Sequence, residues 1–258
     1  MPSPSPGRKQ CLYQRFNISS ICVQVKKYLR IISSVFLDIW VELIYSGKTD
    51  HSASGERKEL FISFEGIDKS GKSTQISLLV DYLKEKKYEV LPTCEPGGTR
   101  LGKEIERILL ESSTGQISDT AELFLYLADR SEHVKEIVKP ALEKDKIVIS
   151  DRFADASLAY QGYGRGLDIH WIDELNKRAT QGISPELTFL LDIDPELAKK
   201  RNKEKDRIEN EEIAFHQRVR QGYLEIARLY PNRVKTVNGQ DSIKNIHLAI
   251  RKILSEYL

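Results

Sequence analysis

The sequence predicts an α/β fold of three layers, a five-stranded parallel sheet with helices on both faces. Three observations carry this. Short apolar runs alternate with stretches whose apolar residues recur every three or four positions, the pattern of strands joined by crossover helices. Residues 61–74, FISFEGIDKSGKST, set G-x-x-x-x-G-K-[ST] between a buried strand and a helix. Polar clusters follow the apolar runs at 65–73, 94–100, 151–166 and after Val237. In a parallel sheet those are the carboxyl ends of the strands, where ligands bind.

Each element has its own signal. Phe61, Ile62 and Phe64 make 61–64 a short buried strand, and the stripe Ile76, Leu79, Val80 and Leu83 makes 73–87 a helix. A second strand is expected at 88–92, helices at 101–110 and 121–144, and a compact central strand, KIVIS, at 146–150. Residues 169–181 read as helix and 187–193, LTFLLDI, as the next buried strand. Then come an interrupted helix over 195–230, a strand at 233–237 and a helix at 243–258. The charged segment 199–209, KKRNKEKDRIE, is either a short helical lid closing over phosphates or a solvated helix face with i,i+4 pairs.

Residues 1–58 are unlike the rest, with no acid before Asp38 and a polar linker over 47–57. They form an N-terminal extension ahead of a domain at 59–258. An organelle transit peptide, a disordered tail and a start placed too far upstream all fit that composition. The first would direct the chain to a mitochondrion or plastid, and the others imply the cytoplasm.

Across 258 residues, 40 Lys and Arg against 38 Asp and Glu leave a net charge of +2, which gives no reason to expect nucleic acid as a partner. The three cysteines, Cys11, Cys22 and Cys94, have no metal-ligand spacing and no disulfide pattern. No apolar run approaches the ~20 residues of a membrane span.

The P-loop chemistry follows from the residue types. Gly66 and Gly71 let the backbone close on an anion, and the N–H groups of Ile67, Asp68, Lys69, Ser70 and Thr74 lie where a phosphate chain would be cradled at the helix N-terminus. Lys72 reaches the β- and γ-phosphates, and the Ser73 hydroxyl ligates Mg²⁺. This motif alone leaves kinase, GTPase and motor ATPase open, but no guanine-reading N-K-x-D follows a strand. Asp151-Arg152, directly after KIVIS, can hold Mg²⁺ through water and clamp a phosphate; the position after a central strand favours this over a surface ion pair. Tyr126 and Arg130 share a helix face, as a base-stacking pair or as core.

Five blocks in order, FEGIDKSGKSTQ, EPGGT (95–99), LADRSEHV (127–134), DRFADASLAYQGYGRGL (151–167) and DRIE (206–209), resemble thymidylate kinase over essentially all of 59–258. The resemblance implies a P-loop fold and transfer of the ATP γ-phosphoryl to dTMP, giving dTDP and ADP for dTTP synthesis, with Mg²⁺, in a homodimer packed through helices. By that resemblance Tyr126 stacks on thymine, Arg130 bonds the base edge, and Ser157 and Gln161 lie near the base. Arg152 holds the dTMP phosphate, Glu95 and Asp68 belong to the acceptor site, and Tyr160 crowds the 2′ side of the sugar. Asp151 and Glu209 organise the metal and its waters, while Arg201 and Arg207 act from the lid. The acceptor phosphate is already nucleophilic, so no general base is expected.

Departures from the family pattern matter too. Cys94 stands where many bacterial members have Arg, with Arg100 nearby, and Ala156 replaces a common Ser. Lys69 occupies a P-loop position that is Arg in one branch and Gly in the other. It either supplies charge to the moving phosphoryl group, with Lys203 or Lys205, or is a solvated loop charge. Because one methyl group gives only about 1–3 kcal/mol of discrimination, preference for dTMP over dUMP is expected to be modest. The rival readings are another nucleotide kinase on this fold and a non-catalytic nucleotide-binding regulator.

Overall fold

The computed structural model describes residues 59–111, 117–201 and 206–258. The expectations for 1–58 and for Lys203 and Lys205 lie outside them. Five strands, β1 (Leu60–Glu65), β2 (Val90–Cys94), β3 (Ile147–Asp151), β4 (Leu187–Asp192) and β5 (Val234–Asn238), form one sheet in the order β2-β3-β1-β4-β5. Every pairing is parallel. Among the described residues no helix is long and apolar enough to cross a membrane.

β1 is central and buried on both faces. Leu60, Ile62 and Phe64 pack with α1 (Lys72–Glu85) and α9 (Ile243–Leu254) through Leu79, Leu83, Ile246 and Ile250. Phe61 points the other way, into Val134, Val138, Val148 and Phe153. Alternate side chains of one strand thus serve both helical layers. The helices start where short polar side chains can take a backbone N–H. Thr99 caps α2 (Arg100–Leu110), Ser118 caps α3 (Asp119–His133), and Asp168 caps α6 (Ile169–Ala179).

Two differences from the sequence expectation have physical causes. The helix expected over 121–144 is a single run, but between α3 and α4 (Lys139–Leu142) it widens into a π turn, Val134–Val138, in which the Lys139 N–H reaches the Val134 carbonyl. Pro140 follows directly; a proline ring crowds the carbonyl one turn back, and the wider turn makes room for it. The cluster at 151–166 is not a plain loop. It holds α5 (Ala154–Ser157) and a second π-type run, Leu158–Gly164. Gly162 and Gly164 hide this helix from propensity, and their use is close packing. A Cβ on Gly162 would sit 2.2 Å from the Ile169 side chain, and one on Gly164 2.7 Å from Phe215. β2 also lies two residues later than expected. The interruption within 195–230 is present, between α7 (Pro195–Lys199) and α8 (Ile213–Leu229).

Candidate active site

The strands' carboxyl ends open into a cleft of about 730 Å³. At one end the P-loop leaves β1 with Gly66 at φ +132°, where a Cβ would lie 2.6 Å from the Leu191 carbonyl oxygen. Gly71 enters α1 at φ +103°, in open space, so its glycine serves conformation rather than fit. Lys69 takes the left-handed region without that freedom, at φ 62°. Lys72 is buried and donates to the carbonyls of Gly66 and Ile67, both at 3.1 Å. Burial, and then the charge of Arg152, push its pKa down, while Asp151, Asp68 and Glu65 oppose the shift. The buried Ser70 hydroxyl has no hydrogen-bond partner among the described residues, leaving a polar group in the loop for an anion.

Ser73 Oγ donates to Asp151 Oδ2 at 3.0 Å, joining the helix start to the end of β3. This hydroxyl and carboxylate are hard oxygen donors of the kind Mg²⁺ takes, alongside phosphate oxygens and water. The residues fit the metal, although among the described residues no cluster of three or more His, Cys, Asp or Glu could hold one unaided.

Arg152 is held in a fixed pose one residue beyond β3. Its backbone sits at φ 71°, its N–H donates to the Phe64 carbonyl (3.0 Å), and its own carbonyl accepts from Ser150 Oγ (2.7 Å). The guanidinium donates to the Gly66 carbonyl (3.0 Å), Tyr223 Oη (3.2 Å), Asp68 Oδ1 (2.5 Å) and Tyr160 Oη (3.1 Å). Tyr160 in turn donates to Asp68 Oδ2 at 3.0 Å. Burial alone would raise the Asp68 pKa, but Arg152 and then Lys72 hold it well below the usual carboxylate range. Asp68, Arg152 and Tyr160 therefore form one charged, prebuilt group beside the P-loop.

Tyr126, Ser157 and Gln161 line the cleft farther along. Arg130 does not stand in the wall with them. It is 1% exposed, and its guanidinium donates to Glu95 Oε2 (2.8 Å), Ser157 Oγ (2.9 Å), Asn176 Oδ1 (2.7 Å) and the Phe153 carbonyl (3.1 Å). The carboxylate of Glu95 is likewise engaged, by Arg130 and by His133 Nδ1 at 2.7 Å. Glu95 still lines the cleft, whereas Arg130, expected at the base edge, stands in a buried frame behind Ser157.

The lid residues divide. Arg201 lines the cleft and donates to the carbonyls of Lys69 (3.1 Å) and Gly239 (3.4 Å), bridging the P-loop to the loop after β5. Arg207 turns away from the phosphate end to Glu122 Oε2 (2.6 Å) and the Leu109 carbonyl (2.7 Å). Glu209 pairs with Lys69 Nζ at 3.0 Å and lines a small separate hollow with Lys199 and His216. Cys94 sits exposed on the cleft wall. Burial of part of the side chain, and then the Glu106 carboxyl, push its thiol up to about 11, so the position expected to lack a cation offers a neutral thiol. Arg100 begins α2 and is not in the wall.

Sequence reasoning missed Glu122, which is buried and accepts from Gln161, and Arg165, which donates to Glu122. The signal was there: Glu122 lies one turn ahead of Tyr126 on the same helix face.

A G-x-x-x-x-G-K-S loop after the central strand, a hydroxyl–carboxylate pair at its helix start and an arginine across the same cleft have the build of a P-loop phosphotransferase. The thymidylate kinase family model matches residues 64–250. A thymidylate kinase of Maridesulfovibrio salexigens is 49% identical over 202 residues, covering 74% of this chain and 93% of that protein. One from Symbiobacterium thermophilum is 45% identical over 201 residues, covering 77% and 94%. The crystal structure of thymidylate kinase from Ehrlichia chaffeensis superposes with a TM-score of 0.65 at 37% identity, covering 77% of this chain and 99% of that one. The chain belongs to the thymidylate kinase family.

Proposed function

We propose that this chain transfers the γ-phosphoryl group of ATP to dTMP, giving ADP and dTDP, in the cleft between the P-loop and Arg152. The observation that carries the reading is the placing of two cations, the buried Lys72 and the half-buried Arg152, around the single carboxylate of Asp68. One cation faces a phosphate chain on the P-loop, and the other stands where an acceptor phosphate must arrive. Bound Mg²⁺ would be held by Ser73 and, through water, by Asp151, and it neutralises charge on the transferring phosphates.

The chain's own residues then do the positioning. The loop N–H groups and Lys72 fix the donor, and ligand oxygens replace the two carbonyls that Lys72 now meets. Arg152, held by Asp68 and Tyr160, aligns the acceptor phosphate, which needs no base to become a nucleophile. The Tyr160 hydroxyl, fixed between Arg152 and Asp68, would crowd a 2′-hydroxyl on the acceptor's sugar. Arg201 closes on the P-loop and excludes water. Lys69 adds charge near the transferring group, with Glu209 holding it.

The test is ADP release from the full chain with Mg-ATP and, separately, dTMP, dUMP, UMP, CMP, AMP and thymidine. Turnover on dTMP with UMP refused is the expected result. Equal rates on ribonucleotides would make the chain a general pyrimidine kinase. A folded, ATP-binding chain without acceptor-dependent ADP would be a regulator.

A further inference from the structure

The base-facing wall of the cleft takes its hydrogen-bonding polarity from buried ions. Glu122 is 1% exposed and accepts four hydrogen bonds. Arg207 Nη2 (2.6 Å) and Arg165 Nη2 (3.1 Å) donate to its Oε2; Arg165 Nε (3.2 Å) and Gln161 Nε2 (2.9 Å) donate to its Oε1. Burial would favour the neutral acid, but the hydrogen bonds from Arg165, Gln161 and Arg207 outweigh it and hold the carboxyl below its ordinary pKa. An ionised carboxylate can only accept. Gln161 must therefore turn its NH₂ toward Glu122, and its amide oxygen, to which no described residue donates, is the acceptor left for the cleft.

Ser157, four residues earlier, is set in the opposite sense. Arg130 Nη1 donates to its Oγ at 2.9 Å, and a guanidinium cannot accept, so the hydroxyl hydrogen remains to donate. Both side chains line the cleft. One offers a donor and the other an acceptor, in an order that buried charges fix before any ligand arrives.

We propose that Glu122 is a specificity-positioning residue: by locking the Gln161 amide it makes the cleft read adjacent C=O and N–H groups of a pyrimidine-dione ring and refuse cytosine. Cytosine presents an amine and a ring lone pair along that edge, the reverse pattern, so its complex leaves the buried amide oxygen unpaired. Thymine and uracil share the accepted edge. Glu122 thus governs the distinction of diones from cytosine and leaves the 5-methyl group to other contacts. This inference rests on the reading of the cleft as a nucleoside monophosphate site.

The test compares kcat/KM for dTMP with that for dCMP in the full chain and in Glu122→Gln, Gln161→Ala and the double variant. An amide at position 122 can face Gln161 with either group, so the lock is released. The dTMP:dCMP ratio is expected to fall at least about tenfold in Glu122→Gln, with the double variant no lower than Gln161→Ala alone. A residue that only supports the fold would lower both substrates alike. An unchanged ratio in Glu122→Gln, or additive falls in the double variant, overturns the proposal. If Glu122→Gln does not fold, the unaltered chain is tested with N3-methyl-dTMP, which has no N–H to give. Refusal of that analogue by the unaltered chain, relaxed in Gln161→Ala, upholds the proposal, and acceptance equal to dTMP overturns it. A chain that phosphorylates dTMP but fails these tests loses this inference alone, whereas one without dTMP turnover loses the proposed function as well.

Discussion

The two ends of the cleft are built in different ways. The phosphate end is local: the six residues between β1 and α1 set the backbone, two glycines permit its curl, and among the described residues Lys72 donates only to carbonyls of its own loop. The acceptor end is assembled from distant parts of the chain. Glu95, Arg130, Ser157 and Asn176 converge in one buried network, and the half-buried Arg165 and Arg207 close on the buried Glu122 and Gln161 in another. A loop can supply anion binding through N–H groups that every sequence has. Reading a base requires side chains of fixed polarity, and here charges buried behind the wall fix it. The phosphate end should therefore fail in activity when altered, and the acceptor end in selectivity or stability.

The largest effect expected is at the phosphate end. Lys72→Ala should lower kcat on the order of 10³-fold, the scale of removing a preorganised transition-state charge, with thermal unfolding nearly unchanged because only two loop carbonyls lose a donor. A large fall in melting temperature together with modest loss of kcat would erase the contrast between the two ends.

Lys69→Ala sharpens the same point. Its side chain is 41% exposed and its ammonium is paired with Glu209, so a weaker charge on the transferring group is expected, worth about tenfold in kcat with KM for both substrates held. Steady-state kinetics with unchanged kcat would make Lys69 a solvated loop charge.

A different kind of effect lies behind the acceptor end, on stability rather than turnover, and it reads out as pH dependence. Asp129 is fully buried; Gly97 N–H donates to its Oδ1, and Oδ2 has no hydrogen-bond partner among the described residues. Burial, and then the Glu95 charge, raise its pKa to about 6 from 3.8, against opposing pulls from the Gly97 N–H, His133 and Arg130. The folded chain therefore keeps this proton longer than the unfolded chain. Its contribution is complete below about pH 4 and is lost as pH rises to about 6. Asp129→Asn should remove that slope, gaining up to about 3 kcal/mol above pH 6 and little near pH 4. Denaturant unfolding of both proteins across that range measures it, and parallel pH profiles would contradict the assignment.

The same division governs what could be read in the sequence. The P-loop, the parallel sheet, Asp151 after its strand and Arg152 beside it were legible because each depends on neighbours in sequence: a period, a glycine spacing, a polar residue ending an apolar run. The structure pairs Ser73 with Asp151, and Asp68 with Arg152 and Tyr160; the motifs pointed to the first pair's elements, and only the family resemblance pointed to Asp68 and Tyr160. What was not legible depends on partners 27 to 98 residues away. Nothing local tells that Arg130 meets Glu95 and Asn176, or that Arg207 leaves the phosphates for Glu122. The helix over 154–164 was hidden by glycines whose purpose, close approach to Ile169 and Phe215, exists only after packing.

The most direct test of the whole account is ADP release by the full chain from Mg-ATP with dTMP set against UMP at equal concentration. The account predicts rapid, dTMP-dependent release and almost none with UMP, since both ends of the cleft and the Tyr160 hydroxyl must act together for that outcome. Equal rates with the two acceptors, or release independent of either, would contradict it.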